Sequence, residues 1–391
     1  MKITGIETRH ADAGWRVFSF LKVLTDQPGL VGWSEYNDGN KGLTRVIGDV
    51  ALHVRGDDPL AHERIYAKLY AITRQVSGGL MAQAIAAIEN ALLDIQGKHL
   101  GVPVYALFGG PIREKLRLYW SHCGNYRLGA LHKLVGKPPI RSLEDIVATA
   151  REVRERGYTA LKTNPFLLEG EPRVHMPGFG RGAGAPELNW DKRLLDALYA
   201  QMAAFRQGAG PDIELKLDLN FNFKTEGFLQ AVRRLEPLNL AWVEIDTRDP
   251  GALATIRQAT RIPIASCESL YGTRGYRPYF ERQSVDVAII DVSWNGIAQA
   301  IKIAAMADAY ELNVAPHNFY GPFCTLMSAH FCAAVPNFRI MELDVDDVPW
   351  KDELVTRAPA IENGYLRVPT GPGWGADVNE EAVRARPPRG R

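Results

Sequence analysis

Leu215-Lys-Leu-Asp218, Ala241-Trp-Val-Glu244, Ile264-Ala-Ser-Cys-Glu268, Val287-Ala-Ile-Ile-Asp291, Asn313-Val-Ala-Pro-His317 and Arg339-Ile-Met-Glu342 are six short apolar runs, each closed by an ionisable residue. The closing residues stand 26, 24, 23, 26 and 25 positions apart. A buried parallel strand with its crossover helix needs about that length, since a βαβ unit takes about 30 residues. Six such units in a row predict a parallel α/β structure. In a (β/α)8 barrel the carboxyl ends of the strands share one face, and polar residues there serve catalysis. Three carboxylates on consecutive strands repel one another unless a cation neutralises them, and oxygen-only donors favour a hard ion such as Mg²⁺. Asp218, Glu244 and Glu268 are therefore the expected ligands of one Mg²⁺ per chain. Taken singly, each would read as a surface acid beside a helix N-terminus; their common spacing argues against that.

At 391 residues the chain has room for a barrel, typically about 250 residues, and a smaller domain beside it. With 46% apolar and 23% charged residues it has the composition of a soluble globule, and its formal net charge of +1 gives no sign of a nucleic acid or anionic membrane partner. No stretch approaches the roughly 20 apolar residues of a membrane span, and Met1-Lys-Ile-Thr-Gly-Ile-Glu7 lacks a signal-peptide core, so a cytoplasmic location is expected. Cys123, Cys267, Cys324 and Cys332 have no paired metal spacing and are expected to be reduced. Cys267, next to a proposed ligand, reads as a small packing residue.

Upstream, residues 2–36 alternate in the manner of an antiparallel meander, with a Gln27-Pro-Gly turn. Helices are expected near 41–54, 59–75 and 79–99. In the last, Ala82, Ile85, Ile88, Leu92 and Ile95 form one apolar face, and Gly101 with Pro103 ends it. An α+β domain over 1–113 and a barrel over 114–344 follow, the barrel opening on Leu116–His122, a helix near 144–156 and a second strand at 159–162. Residues 166–190, rich in Gly, Pro and Arg and without period, read as a lid or specificity loop. Two short strands, 360–362 and 365–368, and the turn-rich Pro369-Thr-Gly-Pro-Gly-Trp-Gly375 belong to a segment, 345–391, expected to return to the amino-terminal domain. Residues 384–391 are expected to be mobile.

Ala86-Ala-Ile-Glu-Asn-Ala-Leu-Leu-Asp-Ile-Gln-Gly-Lys98, Gly101-Val-Pro-Val-Tyr-Ala-Leu-Phe-Gly-Gly110, the spaced carboxylates, the Asp291 and His317 strands and the closing Pro-Gly-Trp-Gly together resemble the enolase superfamily, in particular its mandelate racemase subgroup. The resemblance covers nearly the whole chain. It implies an α+β capping domain over a modified (β/α)7β barrel of the TIM type, an essential Mg²⁺, and removal of the proton α to a substrate carboxylate. By the same resemblance Asp218, Glu244 and Glu268 are metal ligands, His317 and Asp291 a general-base dyad, and Glu342 the acid that hydrogen-bonds the substrate carboxylate. Asn220 matches the subgroup as well.

Two departures stand out. Where many members carry Lys-x-Lys at the end of the second strand, this chain has Lys162-Thr163-Asn164, so the second base is missing. Where Glu-Glu-Pro is commoner, it has Glu244-Ile-Asp246.

Proton abstraction beside a carboxylate leaves two negative charges, which Mg²⁺, Lys162 and Glu342 would stabilise. The handling of His317 by a carboxylate suits a base near neutral pH. Asn164 is a candidate contact to a metal-bound water or a substrate hydroxyl; the eight histidines other than His317 read as structural or solvated, with His122, at the end of the first barrel strand, a candidate for touching substrate. One base on one face suits β-elimination, with His317 taking the α-proton and returning it to the leaving 3-hydroxyl. The expected reaction is dehydration of an acid sugar, an aldonate or aldarate, to a 2-keto-3-deoxy acid. The expected partner is that small molecule, in a homo-oligomer. Trp15, Arg16, Tyr36 and segment 166–190 are candidates for the hydroxylated tail. A racemase, epimerase or cycloisomerase of a hydroxy acid, and a non-catalytic metal- or carbohydrate-binding barrel, are the alternatives.

Overall fold

A computed structural model describes residues 1–39, 42–180 and 186–388. The chain begins with an antiparallel meander of β1 (Ile3–Asp12), β2 (Val17–Thr25) and β3 (Val31–Tyr36), in that order. Three helices follow: α1 (Leu43–Ala51), α2 (His62–Ile72) and α3 (Gly79–Leu100). The helix expected over 41–54 thus starts at Leu43, and Lys41 lies outside the described residues. α3 is the keel of this domain. It is buried continuously from Gln83 to Gly97, which a single apolar stripe would not require, because it is covered on both sides. One side packs on β3, where Gly32 lets the helix backbone approach; the other meets the barrel. Gly101, at φ +70°, ends the helix in a left-handed turn.

The barrel then runs β4 (Lys115–Ser121), α4 (Leu143–Glu155), β5 (Ala160–Thr163), a hairpin of β6 (Phe166–Leu167) and β7 (Arg173–Val174), and α5 (Lys192–Ala209). It continues β8 (Glu214–Asp218), α6 (Thr225–Leu235), β9 (Trp242–Glu244), α7 (Pro250–Gln258), β10 (Ile264–Ser266), α8 (Gly272–Glu281) and β11 (Val287–Ile290). The last elements are the single turn α9 (Val292–Asn295), α10 (Ile297–Asp308), β12 (Asn313–Pro316), α11 (Pro322–Ala334) and β13 (Met341–Asp344). Parallel pairing follows the order β12-β11-β10-β9-β8-β5-β4, and β13 pairs with β4. Val314 of β12 exchanges backbone hydrogen bonds with Asn337 and Arg339, just before β13, and this closes the ring. Eight strands, of which the first seven are each followed by a helix that returns the chain to the next strand, make a (β/α)7β barrel, the architecture expected from sequence. Short strands suffice because each is buried on both faces.

The tail divides. β14 (Ile361–Glu362) and β15 (Tyr365–Arg367) do not join the amino-terminal domain; β15 pairs antiparallel with Lys115–Arg117 at the start of β4. Beyond them the chain does return: Trp374 is fully buried, and donates from its indole to Trp33 O at 2.8 Å and from its backbone to Asp94 at 3.1 Å. The expected mobile end is ordered at its start, since Arg384 closes α12 (Glu380–Arg384), whose Glu380 pairs with Lys22 and Arg9. Residues 389–391 lie outside the described residues. No helix among the described residues is long and apolar enough to cross a membrane.

Cap and barrel are joined by buried polar groups. Glu35, at the end of β3, accepts from the backbone N–H of Gly321 (2.6 Å) and Cys324 (2.8 Å) at the start of α11. Glu89 and Asn90 of α3 accept from Ala298 and Ile297 at the start of α10, and Asn90 donates to Val292 O. Neither barrel helix has a side-chain cap of its own, and acids at these N-termini answer both the orphan N–H groups and the helix dipole.

A Cβ at Gly32 would lie 2.0 Å from Ala91 O and 2.7 Å from Ile95 Cγ1. Gly32→Ala should therefore destabilise the protein by about 1–3 kcal/mol through overpacking, seen as a lowered midpoint in thermal or urea unfolding. An unchanged midpoint would contradict the close approach of β3 to α3.

Candidate active site

The strand ends place the predicted side chains around one mouth. Asp218 and Glu244 are the last residues of β8 and β9 and stand opposite each other in register. Asp291 and His317 directly follow β11 and β12, and Glu268 comes two residues after β10, past Cys267 in a left-handed conformation at φ +92°. Glu342 is the exception to the pattern: it is the second residue of β13, deeper in the barrel than its neighbours. Lys162 is the third residue of β5. All are buried.

Four carboxylates, those of Asp218, Glu244, Asp246 and Glu268, crowd this mouth. Burial together with Glu244 pushes the Asp218 carboxyl up to about 6, and burial with Asp218 and Glu244 pushes Asp246 up to about 8. Glu268 is held well above its ordinary range by burial, then by Asp246, Glu244 and Asp218. Glu244 Oε1 and both Asp246 oxygens have no hydrogen-bond partner among the described residues. The compensating cation present is Lys162, whose Nζ lies 2.8 Å from Glu244, 3.0 Å from Glu342 and 4.0 Å from Asp218. Burial opposes its charge, yet Glu244 and Glu342 hold it protonated.

Among the described residues no three His, Cys, Asp or Glu side chains are gathered tightly enough to form a ready-made metal cage. The donors nevertheless fit a divalent cation chemically: they are oxygens, they are buried, several are unsatisfied, and they are destabilised by one another's charge.

Asp218 is aimed by a chain of amides. Asn220, at φ +46°, donates to it twice, from its backbone N–H and from Nδ2, both at 2.8 Å. Asn164 donates to Asn220 Oδ1 (2.9 Å) and Asp218 O (3.1 Å) and accepts from Asn125 Nδ2 (2.6 Å). Asn164 is thus engaged at both ends of its amide by protein groups and, through Asn220, helps orient the Asp218 carboxylate.

His317 Nδ1 is 2.6 Å from Asp291 Oδ2, and its Nε2 is 3.5 Å from Glu268. Burial works against its charge, but the Asp291 hydrogen bond and charge outweigh it and raise the imidazole pKa. Asp291 does two jobs: its other oxygen caps α9 at Trp294 N (2.8 Å), and Oδ2 also accepts from Tyr320 OH (2.5 Å). The Tyr320 contact was not foreseen from sequence, where an aromatic three residues after His317 gives no sign of its direction. Glu342 accepts from Ser121 Oγ (2.5 Å), Lys162 and Asn318 N (2.7 Å). Burial would raise its pKa, but Lys162, His317 and His122 prevail and hold it below its ordinary value. Glu342 thus has both oxygens engaged by protein donors, and its charge is paired with Lys162.

At the rim Arg16 donates to Phe319 O (2.5 Å) and Asp344 (2.8 Å) and stacks on Trp15, with 3.8 Å from guanidinium to ring centroid. Tyr36 is not there. It is buried in the core of the capping domain with its hydroxyl on Thr44, because alternation along β3 turns it inward. Segment 166–190 is more structured than expected. Its hairpin leads to a turn at Pro177–Phe179 whose Gly178 N–H donates to Asn222 Oδ1, while Asn222 Nδ2 donates to His175 O, so the segment is fastened just beyond the Asp218 strand. Residues 181–185 of it lie outside the described residues.

An α+β cap over a (β/α)7β barrel, with oxygen donors, a buried lysine and a histidine–aspartate pair at the carboxyl mouth, defines the class of barrel enzymes that handle a carboxylate beside a divalent cation. Residues 8–109 match the mandelate racemase / muconate lactonizing enzyme N-terminal domain and residues 145–382 the family described as enolase C-terminal domain-like, so the chain belongs to the enolase superfamily, in its mandelate racemase and muconate lactonizing enzyme subgroup. Enzymes of this superfamily use Mg²⁺. The chain is 29% identical over 392 residues to a D-xylonate dehydratase of Haloferax volcanii, covering 98% of this chain and 88% of that one. It is 28% identical over 399 residues to a D-galactonate dehydratase of Ralstonia pickettii, covering 99% and 94%. A crystal structure from Burkholderia xenovorans, carrying the name of an L-alanine-DL-glutamate epimerase and bound to magnesium and fumarate, is 46% identical with a TM-score of 0.95, over 100% of this chain and 97% of that one.

Asp218 and Asp246 have folded pKa values of about 6 and about 8, both raised from an ordinary 3.8. A raised carboxyl contributes stability that is full below the unfolded value and lost as pH rises through the folded one. Metal-free protein should therefore lose stability between about pH 4 and about pH 8, and the rise in Tm caused by Mg²⁺ should grow across the same window. Scanning calorimetry with EDTA or excess Mg²⁺ checks this; a Mg²⁺ effect that ignores pH, or that survives unchanged in Asp218→Asn, contradicts it.

Proposed function

We propose that the protein is a Mg²⁺-dependent acid-sugar dehydratase that converts an aldonate or aldarate to its 2-keto-3-deoxy acid. One observation carries this: the Asp291–His317 pair faces the carboxylate cluster, whereas the position where a lysine base would answer it from β5 is Asn164, tied off by Asn220, Asp218 and Asn125. An amide takes up no proton at neutral pH. Racemisation in both directions needs a base on each face of a planar intermediate; β-elimination begins with one.

Asp218, Glu244 and Glu268 would hold the ion. Bound Mg²⁺ supplies positive charge against which a substrate carboxylate can gain electron density as its α-proton leaves. His317 takes that proton on Nε2, the ring nitrogen turned to Glu268, while Asp291 fixes the tautomer and stabilises the imidazolium. Lys162 is the chain's own cation for the substrate carboxylate, and Glu342, itself held by Ser121 and Asn318, keeps that ammonium in place. The names of the Haloferax and Ralstonia relatives support the acid-sugar reading. Epimerisation is the second reading, favoured by the name of the Burkholderia structure, and it would use the same metal and the same histidine.

A panel of acid sugars assayed in D2O separates the two. A dehydratase forms 2-keto acid, and EDTA stops it; an epimerase exchanges the α-hydrogen with solvent and inverts the centre without losing water. On the best substrate, His317→Asn should lower turnover by about 10²–10⁴-fold. Full turnover by that variant would rule out His317 as the base.

A further inference from the structure

One further side chain faces the same mouth and has a carboxylate of its own. His122 directly follows β4 at φ +45°, a conformation that residues other than glycine rarely adopt and that recurs where function over-determines the backbone. Its Nδ1 lies 2.7 Å from Asp344 Oδ1. Asp344 is buried, and its second oxygen accepts from Tyr126 OH (2.7 Å) and Arg16 (2.8 Å), so it is a firmly held carboxylate and a positioning residue for the ring. An Nδ1–H donated to it turns the reactive role over to Nε2. The ring is wedged between Tyr126 and Phe319, at 5.5 and 5.8 Å between centroids, with 20% of the side chain exposed.

The placement relative to His317 is what matters. Phe319 also packs on the His317 ring, at 5.0 Å, so the two imidazoles flank a single phenyl group. His122 follows the first barrel strand and His317 the seventh; β13, which pairs with β4 and carries both Glu342 and Asp344, lies between them. Asp344, which holds the ring, stands two residues beyond Glu342 on the same strand, so His122 borders the site of the Lys162–Glu342 pair. The mouth therefore holds two histidine–carboxylate pairs, Asp291–His317 and Asp344–His122.

We infer that His122, keyed by Asp344, is the acid that protonates the departing 3-hydroxyl, while His317 takes the α-proton. This rests on the dehydratase reading above and replaces the expectation that His317 does both. The C2–H bond breaks and its proton goes to His317, the electron pair passing first into the carboxylate; that pair then forms C2=C3 as the C3–O bond breaks, and His122, donating as imidazolium, gives its Nε2 proton to the departing oxygen, which leaves as water. The enol then takes a proton at C3 and releases one from its hydroxyl to give the 2-keto-3-deoxy acid. His317 has gained one proton and His122 has lost one, and exchange with solvent restores both.

The test follows two signals from one sample of the Mg²⁺-loaded enzyme in D2O, with the best acid sugar: loss of the C2 proton signal of recovered substrate by NMR, and formation of 2-keto acid. In His122→Gln dehydration should fall by roughly 10²-fold or more while α-hydrogen exchange persists, which also shows that the variant is folded around a working His317. Asp344→Asn should shift the balance the same way, and His317→Asn should lose both signals. His122→Gln that dehydrates at the wild-type rate overturns the inference, and so does a variant that loses exchange along with elimination, since His122 would then be a base or a prop. Failure of the dehydratase reading looks different: the wild-type enzyme itself then exchanges hydrogen on every acid sugar and forms no 2-keto acid, which overturns both.

Discussion

Burying several carboxylates within reach of one another is the condition on which the rest of this molecule depends. Two like charges 4 Å apart repel by about 4 kcal/mol even at an effective dielectric of about 20, and here four acids share one water-poor mouth. Lys162 relieves part of that repulsion and no more, as the raised Asp218, Asp246 and Glu268 show. The protein keeps these acids close because the barrel leaves them no alternative: each sits on or just after a strand whose hydrogen bonds to both neighbours fix its position. A second, divalent cation is the natural complement to such a mouth, and the same field that attracts the ion makes a substrate carboxylate beside it easier to charge further.

Rigid strands alone do not aim the side chains. At three strand ends the backbone leaves the usual region: His122 after β4, Asn220 after β8 and Cys267 after β10 all have positive φ. Each departure redirects a group at the mouth, namely an imidazole, the amide that clasps Asp218, and the residue preceding Glu268. Such conformations persist only where surrounding contacts over-determine them. The amide chain through Asn125, Asn164 and Asn220 and the anchored Asp344 are contacts of that kind.

Most of this was legible in the sequence because a barrel repeats itself. The spacing of Asp218, Glu244, Glu268, Asp291 and His317 is set by strand and helix length, and a spacing of that kind survives in one dimension. What could not be read depended on direction rather than distance along the chain. Glu342 shares the rhythm but sits inside its strand, where Lys162, Ser121 and Asn318 saturate it. Asn164 occupies a lysine position yet turns to a neighbouring loop. Tyr36 and Glu35 are adjacent on β3, and alternation sends one into the cap and the other into the barrel. The strand pair near 360–367 lacked any mark of its partner, since pairing with β4 spans about 250 residues of intervening chain. Segment 166–190 looked irregular because two-residue strands and a single turn leave no period to detect.

The seam between cap and barrel has a consequence for making hybrids within the family. Glu35, Glu89 and Asn90 terminate helices that belong to another domain, the two that follow the Asp291 and His317 strands, and Gly296 and Gly321 leave the room for these acids that any Cβ would fill. A barrel transplanted beneath a foreign roof would keep its catalytic alphabet but lose the punctuation of α10 and α11, and grafting specificity from a relative means carrying these three donor-seeking side chains across with the loops.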